Sequence, residues 1–205
     1  MNTQGSWTST ARRTWLRPGR HPGVLWPVAI LVSFPLGGLI ADLVVDGVDS
    51  IGAALAAGLI AGAVIGAAEW FALRKWVSWL WIPATSVGMA AGLAAGAALV
   101  DYGIDRGDLL LMGAVTGLGV GVAQALVFAR HGISGAYWWA IANPPGWALG
   151  WLVTSYVITR NVDERFPNFG LSGALVFALL TWLLLAFLLG RTAPEVRRAA
   201  APAAR

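Results

Sequence analysis

Six stretches of this sequence, each about 20 residues long, carry almost no charge: 24–45, 51–73, 79–100, 109–129, 137–159 and 171–190. Such a stretch, coiled as a helix, crosses the roughly 30 Å of hydrocarbon in a bilayer. A spanning segment must satisfy its own backbone hydrogen bonds, so the runs are read as helices. Charged residues make up 12% of the chain, against about 25% in an ordinary soluble domain. Near-continuous apolar runs joined by short polar turns leave no amphipathic face for a water-soluble core. The expected fold class is therefore all-α: a polytopic membrane protein of six transmembrane helices.

The basic residues set the expected orientation. Arg12, Arg13, Arg17 and Arg20 precede span one, Arg74 and Lys75 follow span two, and Arg130 follows span four. Arg191, Arg197, Arg198 and Arg205 follow span six, so only Arg106, Arg160 and Arg165 of the fourteen basic residues fall on the other side. That side holds Asp46, Asp49, Asp101, Asp105, Asp108, Asp163 and Glu164. Basic loops stay in the cytoplasm, so both termini are expected there, in the inner (plasma) membrane of the cell. This asymmetry also accounts for the basic pI without a nucleic-acid partner. Residues 11–17 resemble a twin-arginine export signal, but the apolar run behind them is long and reads as an uncleaved first span.

The spans are not independent of one another. Trp26, Gly37, Asp46, Gly58, Gly62, Gly66 and Glu69 recur 55 positions later as Trp81, Gly92, Asp101, Gly113, Gly117, Gly121 and Gln124. A weaker third copy places Trp139, Gly146 and Gly150 after Trp81, Gly88 and Gly92, and ends on Gly170, Ala174, Ala178 and Thr181. The expected organisation is three tandem helical hairpins, about 24–75, 79–131 and 137–190, between tails 1–23 and 191–205. Two-span repeats all enter the membrane in the same direction, which predicts a bundle with rough threefold symmetry about the membrane normal. The tails, polar or rich in Ala, Pro and Arg, are expected to be poorly ordered.

Each repeated residue type has a structural reading. Trp26, Trp81 and Trp139 open the odd spans on the basic side, where interfacial tryptophans anchor a helix, and Trp76, Trp79 and Trp138 cluster with them. Glycines at i, i+4 and i+8 form side-chain-free ridges that let helices approach closely in lipid. The aspartates read as the acidic complement of the topology.

Glu69 is the exception. Eleven residues after Gly58, it lies within about 20° of the glycine ridge, facing neighbouring helices. It stands five residues, or about 7 Å, before Arg74. An ionisable residue inside a span is a functional-site hypothesis by default. The structural alternatives are an ion pair with Arg74, Lys75 or Arg130, and a hydrogen bond to Gln124 acting as interhelical glue. The repeat puts Gln124 and Thr181 at the same depth, and Asn143 sits at a similar depth in span five. There Pro144 and Pro145 remove two backbone donors and leave the Ala140 and Ile141 carbonyls without helical partners. A cytoplasm-facing vestibule lined by Glu69, Gln124, Asn143 and Thr181 is the expected ligand-binding site. Pro35 is expected to bend span one.

Other chemistries lack their residues. Without cysteine there is no disulfide or thiolate site. His21 and His131, the two histidines, both fall in expected cytoplasmic segments, and His131 reads as a solvated loop residue. No catalytic site, metal or cofactor is expected, and no enzyme activity. The surroundings are membrane lipids, and the candidate protein partners are other membrane subunits or a second copy of the chain.

Gly62, Gly66, Glu69, Arg74 and Trp81, repeated as Gly117, Gly121, Gln124, Arg130 and Trp139, form a GxxxGxx(Q/E) pattern followed by a basic turn and a Trp-led helix. Over residues 55–155 this resembles six-span bacterial membrane proteins of uncharacterised function, and the likeness implies no activity. The tryptophan-rich sensory proteins have five spans, and the Pro-x-Asp/Glu-x-x-Lys/Arg signature of mitochondrial carriers does not occur here. The function expected is binding or transport of a small solute, ion or lipid through the polar vestibule. The alternative is a non-catalytic accessory subunit that docks partner helices or lipids.

Overall fold

The computed structural model describes residues 22–157 and 170–200, the last ten by backbone alone. The expectations that rest on Arg12, Arg13, Arg17, Arg20, His21, Arg160, Asp163, Glu164, Arg165 and Arg205 fall outside the described residues, as do the side chains of Arg191, Arg197 and Arg198.

The described chain is all-helical. Its elements are α1 (Leu25–Val45), α2 (Ile51–Leu73), α3 (Trp81–Leu99), α4 (Arg106–Arg130), α5 (Ala136–Val157) and α6 (Leu171–Ala200). Five of them, all except α5, are long and apolar enough to cross a membrane. α5 has the length, but it carries Asn143, Pro144, Pro145 and four tryptophans, which lower its hydropathy. The two prolines do not break it, and Pro35 lies inside an unbroken α1. α6 differs from expectation at its end. The helix continues through 191–200 beyond the apolar run, because Ala, Arg and Glu are good helix formers.

The helix ends follow local rules. Ser50 caps α2, its hydroxyl accepting from the Ala53 N–H at 3.2 Å. α4 begins three residues before the apolar run because the Asp108 carboxylate folds back to accept from the Asp105 N–H at 3.2 Å. α1 closes on Asp46 in the left-handed region (φ 59°), and Asp101, just past α3, is also left-handed (φ 48°). Aspartate adopts that conformation more readily than most residues. Replacing Ser50 with Ala should cost about 1 kcal/mol, read as a lower midpoint of thermal unfolding in detergent.

Each helix packs against its neighbours in the chain, and α6 closes back on α1. No other pair of described helices comes into comparable contact, so the six form a ring. Two seams depend on missing side chains. A Cβ on Gly62 would stand 2.7 Å from the Ser86 Cα of α3, and one on Gly117 would stand 2.7 Å from the Asn143 carbonyl oxygen of α5. Gly58 and Gly66 meet α3 likewise, and Gly113 and Gly121 meet α5.

The ring reverses the usual distribution of polarity. Val32, Phe71, Leu126 and Leu183 are more than half exposed on its outside, while Glu69, Thr85, Gln124, Asn143 and Thr181 are buried within. Water would favour the opposite arrangement, and lipid favours this one. The apolar helices and apolar exterior together are those of a membrane protein.

His131 is exposed, as expected of a loop residue, and is also tied into the structure. Its Nε2 accepts from the Ser78 N–H at 3.1 Å, and its Nδ1 lies 2.8 Å from the Val127 carbonyl, which joins the α2–α3 turn to the end of α4.

Candidate functional site

The four residues singled out in the sequence are all buried: Glu69 is 2% exposed, Gln124 1%, Asn143 0% and Thr181 3%. They therefore line no open vestibule, and that part of the expectation is corrected. The level they occupy is filled by aromatic side chains.

The filling comes from the repeated tryptophans. Trp26, Trp81 and Trp139 are each 0% exposed. Their expected role as interfacial anchors is corrected as well, although Trp79 and Trp138 in the same segments do face outward, at 64% and 43%. An indole has a large apolar body and a single N–H, which a buried tryptophan must place on an acceptor. Here each has one. Trp26 Nε1 donates to Thr181 Oγ1 at 2.9 Å, Trp81 Nε1 to Glu69 Oε2 at 2.9 Å, and Trp139 Nε1 to Gln124 Oε1 at 2.8 Å. In every case an odd helix donates to the polar residue of an adjacent even helix. The rings then meet inside the ring of helices: Trp26 and Trp139 centroids are 5.8 Å apart, and Trp81 and Trp139 6.2 Å. Phe128, one turn beyond Gln124 towards the end bearing Arg130, packs on Trp81 at 4.8 Å and Trp139 at 5.3 Å. A second aromatic group, Phe34, Trp147 and Phe177, lies about two turns deeper on α1 and α5 and about one turn from Thr181 on α6, with centroids 5.2–5.6 Å apart.

Glu69 and Gln124 are brought into direct contact. Gln124 Nε2 donates to Glu69 Oε2 at 2.7 Å and also reaches Thr85 Oγ1 at 2.7 Å. Thr85 Oγ1 stands 3.4 Å from the same carboxylate oxygen and donates to the Trp81 carbonyl at 3.0 Å. Two neutral donors, the Trp81 indole and the Gln124 amide, thus converge on one carboxylate oxygen, with the Thr85 hydroxyl beside them. The expected alternative of an ion pair with Arg74 is not what the side chain does: Arg74 donates to the Phe71 carbonyl and lies over the Phe71 ring at 4.1 Å. Hydrogen bonds from neutral groups stabilise an anion, but they leave its charge without a counter-ion.

Asn143 and Thr181 join this level through tryptophans and not directly. Asn143 Nδ2 donates to the Trp139 carbonyl at 2.8 Å, and its buried Oδ1 has no hydrogen-bond partner among the described residues. Gly121 lies against the Asn143 Cβ and the Ala140 carbonyl, so α4 covers one of the carbonyls that the prolines free. Thr181 accepts from Trp26 and donates to the Phe177 carbonyl at 2.6 Å.

Thr85 is the member that sequence reasoning missed. Two signals pointed to it. It lies four residues after Trp81, on the same helix face. It also stands 58 residues before Asn143, the offset that relates Trp81 to Trp139. Both side chains reach the carbonyl of the tryptophan four residues earlier. Comparison of the chain with protein-family models, curated proteins and solved structures found no match.

Proposed function

We propose that this chain is a multi-pass membrane protein that binds and carries a small ion or solute at the level of Glu69, Gln124, Asn143 and Thr181. In this reading α5 is a sixth span, both termini are cytoplasmic in the plasma membrane, and the three helical hairpins are copies of one unit. Supporting the repeat are the three indole-to-polar bonds, related by offsets of 55 and 58 residues along the odd helices. The left-handed Asp46 and Asp101, 55 residues apart, add to that support. The orientation is supported by the described charges. Arg74 and Lys75 follow α2, Arg130 ends α4, and Asp46, Asp49, Asp101, Asp105 and Asp108 gather at the opposite end.

One observation carries the functional reading: a carboxylate buried inside an apolar ring, bonded to neutral donors alone. Burying an acid without a counter-ion is costly, and packing gains nothing that Gln would not supply more cheaply at that position. Asn143 Oδ1 adds a buried acceptor at the same level with no donor of its own. The activity proposed is binding and transfer, with no enzymatic step and no cofactor.

The accessory-subunit reading is the weaker of the two. Its docking faces were to be the glycine ridges, and those of α2 and α4 are taken up by α3 and α5. A partner subunit or second copy would have to dock elsewhere, on the lipid-facing Leu, Val and Phe surface.

The test uses vesicles containing the purified protein, loaded with a pH-sensitive dye and challenged with proton, sodium or potassium gradients. At least one gradient should dissipate faster than in empty vesicles. Glu69→Gln vesicles should match the empty ones while the variant keeps its helical circular dichroism. Equal rates for wild type and Glu69→Gln would remove Glu69 from any carrying role.

A further inference from the structure

We infer that the ligand of the Glu69 site is a proton, and that its arrival loosens the contact among α2, α3 and α4. The inference rests on the reading of this level as a binding site and names what the site takes up.

Available space is the first consideration. Glu69 and Gln124 are at most 2% exposed, Thr85, Trp81 and Trp139 are fully buried, and Phe128 closes over them. A hydrated ion or solute would have to displace these rings, whereas a proton displaces nothing. The orientation of the dipoles is the second. Trp81 and Gln124 both point hydrogens at Oε2. A metal cation needs oxygen lone pairs around it, so this shell is arranged for a negative carboxylate and against a bound cation. An anionic ligand would meet the carboxylate itself.

Electrostatic isolation is the third. On α2, Glu69 is the only ionisable residue before Arg74 and Lys75 at the helix end, and Arg74 is held by Phe71. α3 contains no ionisable residue, and α1 only Asp42, near the opposite end. α4 offers Arg130 at its last position and Arg106 and Asp108 at its first turn. α5 holds only Tyr137 and Tyr156, near its two ends, and α6 holds nothing ionisable from Leu171 to Gly190. Glu69 can therefore change charge without another interior group compensating.

The step is a simple addition. Both donors reach Oε2, so the incoming proton forms an O–H bond on Oε1. The proton comes from hydronium, whose O–H bond breaks to leave water; nothing is oxidised, and the carboxylate becomes a neutral acid. It has about 6 Å to travel from the end of α2, four residues away. Neutralisation costs the two bonds at Oε2 their charge assistance, which makes such bonds about twice as strong as neutral ones. The indole of Trp81 and the amide of Gln124, which hold α3 and α4 to α2, are then held less firmly.

Infrared difference spectroscopy of the protein in lipid, between mildly alkaline and mildly acidic buffer, tests this directly. The expected result is a protonated-carboxyl C=O band that grows on acidification, shifts on deuteration and disappears in Glu69→Gln. Asp42→Asn, at the far end of α1, should retain the band and so exclude a general effect of removing an acid. A band that persists in Glu69→Gln, or no such band at all, overturns the proton inference. A sodium, potassium or magnesium titration at fixed pH then separates the two levels. If these ions change the wild-type spectrum but not that of Glu69→Gln, the site binds a cation, and only the proton inference fails. No response to protons or to these ions would overturn the inference and the binding reading together.

Discussion

Gly117→Leu should prevent the ring from closing, with a loss of about 3 kcal/mol or more. The Cβ of any residue at 117 would stand 2.7 Å from the Asn143 carbonyl oxygen and 2.8 Å from the Trp147 Cβ. Overpacking an interior typically costs about 1–3 kcal/mol when a side chain can rotate away. Here the nearest obstacle is backbone, so the helices must separate, and the fully buried Trp147 and Asn143 move with them. The resulting shift would carry Trp139 away from Gln124. Thermal unfolding in detergent should show a large fall in midpoint and near-ultraviolet dichroism a loss of the tryptophan signal. Gly52 makes the control, because a Cβ there meets nothing within 4 Å. Gly52→Ala should unfold close to wild type. A Gly117→Leu protein with the wild-type midpoint would show that α4 and α5 do not approach in this way.

Gln124→Leu should be the most damaging change within the polar level. The glutamine donates to Glu69 Oε2 and Thr85 Oγ1 and accepts from Trp139 Nε1. Interhelical hydrogen bonds in membranes average only about 0.6 kcal/mol when both partners can re-pair. Leucine leaves a fully buried indole N–H with no acceptor at that position and removes the shortest bond to a buried carboxylate. An orphaned buried group costs about 1–3 kcal/mol, and more when it is charged, so the orphans outweigh the lost bond. A total of about 2–3 kcal/mol is expected. Glu69→Gln should cost less than 1 kcal/mol, since its amide oxygen can still accept from Trp81 and Gln124. Denaturant titration of the two variants checks the order. If Gln124→Leu were the more stable, the network would not contribute to holding the ring.

Much of the architecture is legible in the sequence because lipid imposes it. Apolar runs end where charge begins, so α2 falls on Ile51–Leu73 as expected, and α1 and α3 begin or end within two residues of expectation. Where local chemistry overrides hydropathy, the prediction slips. The Asp105–Asp108 cap extends α4 forward, and the helix-forming run after Gly190 extends α6. Hydropathy also cannot report which way a tryptophan faces. Trp79 and Trp81 occupy the same segment, yet one is 64% exposed and the other fully buried. The decisive signal was the recurrence of Trp26, Trp81 and Trp139 in step with Thr181, Glu69 and Gln124. An indole repeated in register with a buried acceptor is a hydrogen-bonding partner before it is an anchor. The glycines were readable for a simpler reason, since small residues at four-residue spacing leave few other uses. The closed state of the level was not readable, because it depends on Phe128 and the three indoles meeting from four different helices.

The indoles make the protein its own reporter. Trp81 is hydrogen-bonded to Glu69 and Trp139 to Glu69's partner Gln124, so any ligand bound at the carboxylate changes the surroundings of both. Tryptophan emission of the purified protein in lipid nanodiscs, titrated with acid and separately with sodium, potassium or magnesium, tests the central claim most directly. The account predicts a saturable change in the wild type that is absent from Glu69→Gln at the same helical content. The same saturable change in both proteins, or none in either, would contradict it.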